Sequence, residues 1–251
     1  MYFNNVHILV YVAIAIAGFF IGKFVNWCNY RLPEYKKVFS KDIFKTKELL
    51  GYKPNLLLSL VTVLIYIILL YVLGIQPTFL GNLQLVKYLI LTPMLLSAFV
   101  IDYKFQIIPN RLNLTMFEIG IILMFLAGVF NVNIAIDMFL GMLVGAGIFL
   151  LITLVGGLIA GKEAMGFGDV KLMGALGIFF GLTNIIAITL MSFLIGAVLS
   201  IILLVTKIRK TDEYIPFGPF IVISTFIAMV VPYNTIMSAL LFIFSLGLIR
   251  N

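Results

Sequence analysis

The stretch NLLLSLVTVLIYIILLYVLGIQ at residues 55–76 decides the fold, because it is long, almost entirely apolar and free of charged residues. A helix that spans a bilayer needs about 20 apolar residues. Runs of the same kind recur along the chain, separated by breakers such as Pro, Gly and Asn. We predict nine spans, at residues 7–26, 55–76, 84–101, 113–131, 136–160, 171–183, 184–206, 217–232 and 234–249.

The sixth predicted span, 171–183, is short. A helix of about 13 residues rises only about 20 Å, which is less than the roughly 30 Å thickness of the hydrocarbon core. This segment therefore either crosses only half of the bilayer or begins earlier in the chain, near Gly168.

The composition of the whole chain agrees with these runs. Of its 251 residues, 63% are hydrophobic and only 11% are charged, whereas a soluble domain carries about 45–50% apolar and about 25% charged residues. So few charges cannot cover a water-facing surface, which excludes a soluble or a disordered protein. An outer-membrane barrel would alternate apolar and polar residues. The sequence predicts an all-α, polytopic helical membrane protein of about eight to nine transmembrane helices, in a single domain covering 1–251.

The basic residues predict how the chain is oriented. Lys and Arg accumulate in cytoplasmic loops, and the polar loop 27–54 is strongly basic. Placing this loop in the cytoplasm puts the N-terminus outside. The segments 102–112, 161–170 and 207–216 then also fall inside, and only Lys87 among the basic residues lies outside. This distribution accounts for the net charge of +7, so we predict no nucleic-acid partner.

The counts of cysteine and histidine limit metal binding. Cys28 is the only cysteine and His7 the only histidine. One cysteine cannot form an internal disulfide, and no cysteine-based zinc site can be built from this chain. We therefore predict no metal site.

Five of the ten acidic residues lie in or beside the apolar runs. An ionisable group at the centre of a membrane helix costs about 2.5–3.5 kcal/mol on insertion scales, so each is a functional candidate by default. Glu118 and Asp137 also fit structural pairs or interfacial anchors, and Glu163 fits an ordinary loop charge. Asp102 and Asp169 remain, and on the predicted topology both lie near the cytoplasmic ends of their spans at similar depth.

Two carboxyl groups at matched depth on separate helices can face each other across a bundle. Two carboxyls a few ångströms apart cannot both ionise easily, so they share a proton. The ionised group can take a proton from water while the protonated group polarises a peptide carbonyl, as in aspartic proteases. Gly166 and Gly168 would let the backbone bend and a substrate strand approach. Taken singly, either aspartate could instead be an anchor, or pair with Lys104 or Lys171.

Four segments of the sequence resemble those of the type IV prepilin peptidases, the leader peptidases of type IV pili and type II secretion. They occur in the family's order, and each lies at a predicted cytoplasmic edge. The G-x-G-D string alone is shared with archaeal preflagellin peptidases and presenilin-like proteases, but the flanking blocks favour the bacterial pilin branch. The four blocks are GKFVNWCNYRLP at 22–33, ID at 101–102 followed by IPN at 108–110, GFGDVKLMGALG at 166–177, and IPFGPF at 215–220.

The resemblance implies an intramembrane aspartic endopeptidase of the bacterial inner membrane, embedded in the lipid bilayer with its active site near the cytoplasmic side. Members of the family cut the short basic leader from prepilins and pseudopilins, after a glycine and before the hydrophobic stem helix. By the match, Asp102 and Asp169 are the catalytic pair, and Gly166, Gly168 and Lys171 are candidates for substrate binding. The peptidase reaction is expected to need no cofactor.

One departure from the family concerns the first cytoplasmic loop. Many bacterial members carry two cysteine pairs there, as a zinc site, whereas the loop 27–54 is short and has no cysteine after Cys28. Many members also N-methylate the new N-terminus with S-adenosylmethionine. The shortened loop argues against that second activity and its cofactor, while the retained block 26–33 argues for it.

A small ion-coupled membrane transporter is the alternative reading. Acidic residues in spans and glycine-interrupted helices also fit ion-coupled transport. The sequence shows no internal repeat that would divide it into two similar halves. On the predicted topology, Asp102 and Asp169 lie at one edge of the membrane rather than at its midplane. Both features favour the peptidase.

Overall fold

The structure is a computed structural model that describes residues 2–4, 6–38, 55–161, 165–206 and 215–245. Sequence features outside these ranges include the more basic part of the loop 27–54, Glu163, and residues 207–214 of the predicted inner segment 207–216. The side of the membrane on which each loop lies stays a prediction.

Helices make up most of the described chain. A short hairpin precedes them, in which β1 (Tyr2–Phe3) pairs antiparallel with β2 (Val6–His7). Among the described helices, the first six are long and apolar enough to cross a membrane, which confirms an all-α, multi-pass membrane protein. The helices are α1 (Ile8–Arg31), α2 (Leu56–Leu73), α3 (Phe79–Phe105), α4 (Asn110–Phe130), α5 (Val132–Ala160), α6 (Phe167–Val205), α7 (Gly218–Val230) and α8 (Tyr233–Phe244).

Local sequence explains where several helices begin and end. The side chains of His7, Asn55 and Asn131 accept hydrogen bonds from backbone N–H groups at the starts of α1, α2 and α5. Such caps satisfy N–H groups that have no partner within the helix. Gly74 and Gly161 end α2 and α5, and the N–H of each donates to the carbonyl four residues earlier.

Helix α6 is interrupted at Gly181, whose φ of 76° and ψ of 178° are not helical. The Cβ position of Gly145 in α5 lies 2.5 Å from the Met173 carbonyl oxygen and 2.9 Å from Ile185 Cγ1. In a straight helix the roughly 12 residues between Met173 and Ile185 would span about 18 Å. The chain therefore folds back at Gly181, and α6 is a helical hairpin.

The two arms of α6 correspond to the predicted spans 171–183 and 184–206. The first arm begins at Phe167, so the sixth span starts earlier in the chain, as one of the two sequence interpretations allowed. The predicted break at residues 183–184 is wrong by a few residues, since the chain turns at Gly181. Glycine has no Cβ and adopts this backbone conformation readily, whereas Thr and Asn do so at a cost.

The last two described helices are shorter than the predicted spans 217–232 and 234–249. Helix α7 has 13 residues and α8 has 12, whereas a full crossing needs about 20. Val231 and Pro232 separate them in non-helical conformations. Both helices are apolar.

The chain divides into two compact units. The first comprises Met1–Phe105 with Pro109–Leu112, and the second comprises Gln106–Ile108 with Asn113–Asn251. In the first unit α1, α2 and α3 pack together. In the second unit α6 packs against α5, α7 and α8. The single domain over 1–251 stays a prediction.

Small residues let the helices of the first unit approach closely. A Cβ at Gly18 of α1 would lie 3.2 Å from the Val63 Cα of α2, and one at Gly22 would overlap the backbone of Ser59. Membrane helices commonly pack through such small residues, because little drives apolar helices together when lipid is equally apolar.

Glycines also bring α5 and α6 together in the second unit. A Cβ at Gly141 would overlap the Gly177 carbonyl, and one at Gly177 would overlap the Gly141 carbonyl. Every residue from Leu172 to Phe180 is buried. The first arm of α6 is therefore surrounded by protein, and it forms a firm support for the residues at its N-terminal end.

Candidate active site

Asp169 lies in the first turn of α6 and is 4% exposed. Its backbone N–H donates a hydrogen bond to the Gly166 carbonyl at 3.1 Å. The first turn of a helix suits a carboxylate, because backbone N–H groups give that end a partial positive charge. Asp169 thus combines a buried position with a rigid helical support.

The peptide group that precedes Asp169 is held at both of its polar atoms. Asn113 of α4 donates from Nδ2 to the Gly168 carbonyl at 3.2 Å. The N–H of the same peptide, which belongs to Asp169, is bonded to the Gly166 carbonyl. Asn113 is only 1% exposed, so water hardly competes for this bond.

The two glycines predicted to bind substrate have different surroundings. A Cβ at Gly168 would lie 3.2 Å from the Cβ of Ile108, which is tighter than ordinary van der Waals contact. Among the described residues, a Cβ at Gly166 would meet nothing nearer than Asp169 Oδ2, at 3.8 Å. Packing accounts for Gly168, whereas the space at Gly166 adjoins the Asp169 carboxylate. Substrate binding by either glycine stays a prediction.

Lys171, the third candidate for substrate binding, is exposed, whereas Asp169 is buried. Residues two apart on a helix do not face each other. The structure therefore directs Lys171 to the surface and Asp169 to the interior. A role of Lys171 in substrate binding stays a prediction, and it would have to act from the surface of α6.

Asp102 lies in the last turn of α3 and is also 4% exposed. Ile101 beside it is fully buried, whereas Tyr103 is 62% exposed. The Tyr103 ring stacks on Phe99, with ring centroids 6.4 Å apart. The end of α3 therefore has one buried face that carries the carboxyl group and one exposed face that carries aromatic rings.

The two aspartates belong to different compact units, Asp102 to the first and Asp169 to the second. Each is buried, and each lies at a helix end. These properties agree with what a catalytic acid in a membrane protein requires. Their pairing as one dyad stays a prediction.

The other acidic candidates lie elsewhere. Asp137 of α5 accepts a hydrogen bond through Oδ1 from the backbone N–H of Leu182, at 3.1 Å. It therefore caps the second arm of α6 after the turn at Gly181, which is the structural role that the sequence allowed for. Glu118 is exposed on α4. Glu163 lies outside the described residues.

In the described ranges, no three or more His, Cys, Asp and Glu side chains come together in a group that could hold a metal ion. Cys28 is a buried free thiol in α1. A metal-free site therefore stays a prediction, made from the residue types of the whole chain.

Side chains of the block 22–33 form hydrogen bonds with backbone groups at both ends of the first polar loop. Asn26 donates from Nδ2 to the Asn55 carbonyl at 2.9 Å and accepts through Oδ1 from the Asn55 N–H at 3.1 Å. Arg31 is 2% exposed, and its Nε donates to the Lys37 carbonyl at 2.8 Å. Its guanidinium group lies 5.0 Å from the centre of the Trp27 ring. The polar groups of this block thus serve the chain's own backbone.

The block 215–220 is anchored by aromatic rings. Phe217 contacts the rings of Phe193, Phe220 and Phe149, at centroid distances of 5.1, 5.8 and 5.9 Å. A proline occupies the first turn of α7, where its missing N–H has no helical partner in any case. This block positions the start of α7 against α5 and α6.

Sequence reasoning missed Asn113 and noted Ile108 only as part of the block 108–110. A signal for Asn113 was present, because an amide near the start of an otherwise apolar span must find a hydrogen-bond partner when it is buried. Ile108 offered no such signal, since an apolar residue does not indicate which backbone it covers.

Residues 89–201 match the type IV leader peptidase family. Three relatives are each named prepilin leader peptidase/N-methyltransferase. The protein of Legionella pneumophila is 36% identical over 150 residues, that of Pseudomonas aeruginosa 35% over 146 and that of Aeromonas hydrophila 31% over 141. No solved structure gives a significant match.

These matches cover 59%, 56% and 56% of this chain, and 50%, 48% and 48% of the respective relatives. The chain therefore spans about half the length of the curated relatives it matches. The family match includes both Asp102 and Asp169. It confirms the resemblance to type IV prepilin peptidases that the sequence blocks indicated.

Proposed function

We propose that the protein, whose residues 89–201 match the type IV leader peptidase family, is an intramembrane aspartic endopeptidase that removes the leader of type IV prepilins or pseudopilins. One observation carries the proposal: Asp102 and Asp169 are each 4% exposed, at the end of α3 and at the start of α6. A buried acid in a membrane protein is expensive to keep and is usually functional.

The chain that follows Asp102 supports a joint action of the two aspartates. It contains Ile108 and Asn113, and both contact the backbone of Gly168, next to Asp169. Both contacts lie within the second compact unit. We propose that the two carboxyl groups share one proton and act as a single unit.

The proposed reaction needs one water molecule and the two carboxyl groups. The ionised carboxylate takes a proton from water, and the oxygen of that water attacks the carbonyl carbon of the scissile peptide bond. The protonated carboxyl donates its hydrogen bond to the carbonyl oxygen. Transfer of that proton to the carbonyl oxygen gives a gem-diol. The carboxyl group that took a proton from water then gives it to the amide nitrogen, and the C–N bond breaks. One hydroxyl of the diol returns its proton to the other carboxylate as the products, a carboxylic acid and an amine, leave.

The open space at Gly166 suits the approach of an extended substrate strand. A peptide bond within a helix is shielded, so the substrate must unwind near the cut, and glycine before the cut lowers that cost by about 1 kcal/mol relative to alanine. In the proposed arrangement the basic leader lies in the cytoplasm, the stem helix lies in the bacterial inner membrane, and the cut falls after the glycine.

Incubation of the purified full chain with a prepilin tests the function directly. We expect one new N-terminus, at the residue after the glycine, when the products are read by mass spectrometry. Uncleaved substrate in the presence of folded enzyme, or cleavage at scattered sites, would overturn the proposal.

Accessibility labelling tests the proposed orientation. On a Cys28→Ser background, a cysteine at position 105, where Phe105 is 53% exposed, should react with an impermeant reagent only from the cytoplasmic side. A cysteine at position 132, where Val132 is 65% exposed, should react only from outside. Reaction at 105 from outside would place the end of α3 on the wrong face for a prepilin leader.

The relatives' names include N-methyltransferase activity, which would require S-adenosylmethionine. In the block 22–33, the side chains of Asn26 and Arg31 bond to the chain's own backbone. Among the described residues, the buried amide of Asn29 has no hydrogen-bond partner. We derive no methyl-transfer step.

A further inference from the structure

We infer that Asn113 is a positioning residue for Asp169, because it holds the peptide group between Gly168 and Asp169 by a hydrogen bond. The inference rests on the proposed function, in which Asp169 is catalytic. Asn113 belongs to none of the four family blocks, and it acts through the backbone of Gly168 rather than on the substrate.

The geometry restricts one peptide group at several points. Its carbonyl oxygen, on Gly168, accepts from Asn113 Nδ2 at 3.2 Å. Its N–H, on Asp169, donates to the Gly166 carbonyl at 3.1 Å. The Gly168 Cα is covered by Ile108, which leaves no room for a Cβ without a shift. These contacts restrict rotation of the peptide plane that precedes Asp169, and so help to fix the point from which its side chain extends.

The orientation of the Asn113 amide follows from chemistry. The Gly168 carbonyl can only accept a hydrogen bond, so the NH2 group of Asn113 must face it. The other end of the amide, Oδ1, is buried and has no hydrogen-bond partner among the described residues. This unpaired acceptor offsets part of the stability that the bond to the Gly168 carbonyl supplies. Stability alone is therefore a weak reason for an asparagine here.

Asn184 offers a matched control in the same unit. Its Nδ2 donates to the Phe180 carbonyl at 3.1 Å, which is the same type of bond at nearly the same length. Asn184 lies beyond the turn at Gly181 and belongs to no part of the proposed site. Loss of the amide at Asn184 therefore reports the structural effect of losing such a bond, without any effect on Asp169.

The test compares Asn113→Ala, Asn113→Leu and Asn184→Ala in the purified full chain, with a prepilin as substrate. We expect both Asn113 variants to lower kcat about 10- to 100-fold, as a small misplacement of a catalytic group does, with KM changed less than about twofold. The pH profile of kcat should also shift, because the coupled titration of the dyad depends on its geometry. Asn184→Ala should keep the kcat and pH profile of the parent chain.

Thermal unfolding separates positioning from folding. Asn113→Leu keeps the branched shape and removes the unpaired Oδ1 together with the bond to Gly168, so we expect its unfolding temperature to stay close to that of the parent while kcat falls. If Asn113→Ala does not fold, Asn113→Leu still tests whether loss of the amide lowers kcat. Parental kcat in Asn113→Leu, or equal losses of kcat in Asn113→Ala and Asn184→Ala, would overturn the inference. Failure of the parent chain itself to cleave prepilin would instead overturn the proposed function.

Discussion

Asp102 and Asp169 are buried to the same extent, but they are supported in different ways. Asp102 stands on the last turn of a long helix, α3, and its sequence neighbours alternate between buried Ile101 and exposed Tyr103. Asp169 stands on a helix start whose backbone is held by Asn113, a residue of another helix. Asp102 thus lies at the end of a helix and Asp169 at the start of one, and the backbone before Asp169 is also bonded to a residue that is distant in sequence.

The bond from Asn113 marks a position at which the Asp169 half of the site is sensitive to mutation, although Asn113 lies in neither aspartate block. Substitutions of the aspartates and of the glycines near Asp169 measure how strongly activity depends on each group.

The largest expected effect is the loss of either carboxyl group. Asp102→Asn and Asp169→Asn should each lower the rate of prepilin cleavage by at least about 10³-fold, because members of a catalytic unit do not compensate for each other. Rates by mass spectrometry, with intact folding confirmed by thermal unfolding, provide the measurement.

Asp137→Asn is the control for that experiment, because Asp137 caps the second arm of α6 through Oδ1 and an asparagine oxygen can accept the same bond. We expect it to keep most of the parental rate. Substantial activity in either Asp102→Asn or Asp169→Asn would show that the two aspartates do not act as one catalytic pair.

The next largest effect should distinguish the two glycines before Asp169. Gly168→Ala brings a Cβ to 3.2 Å from the Ile108 Cβ, so either Ile108 or the Asp169 backbone must move. We expect kcat to fall by about tenfold or more, since small displacements of catalytic groups are costly. Steady-state kinetics on purified protein measure it.

Gly166→Ala is the matched variant, because its Cβ would meet no described residue nearer than 3.8 Å. We expect its kcat to stay close to the parental value, with any effect confined to KM through the substrate strand. Equal losses of kcat in the two variants would show that the contact with Ile108 does not set the position of Asp169.

The smallest effect concerns stability at two glycines with similar backbone conformations. Gly74 has a φ of 62° and Gly181 a φ of 76°. Alanine at either position should cost about 1–3 kcal/mol in backbone strain. A Cβ at Gly74 meets nothing within 4 Å in the described part of the chain, whereas one at Gly181 would overlap the Asp137 carboxylate.

Gly181→Ala should therefore lower the unfolding temperature more than Gly74→Ala does. Both variants carry the backbone strain, but only Gly181→Ala adds a steric overlap and disturbs the cap that Asp137 provides. Thermal unfolding in one detergent measures both variants side by side. If the two losses were equal, distant contacts would add nothing to backbone strain at the turn of α6.

Sequence patterns were sufficient for the membrane class, the approximate positions of the spans and the two aspartates that the family match covers. These features are local: about 20 apolar residues suffice to identify a span, and an acid beside such a run is conspicuous without reference to anything else. Breakers located most boundaries for the same reason, since Pro and Gly change the backbone where they stand.

The tertiary structure decided what lies between residues that are far apart in sequence. In the folded chain α6 turns at Gly181, and Asp137 caps the arm that follows. Gly168 packs against Ile108, whereas the surroundings of Gly166 are more open. The tertiary structure also assigned Asn113 to the Gly168 carbonyl. Sequence periodicity identifies which residues are apolar, but the partner of a buried group depends on which helices meet, and only the folded chain determines that.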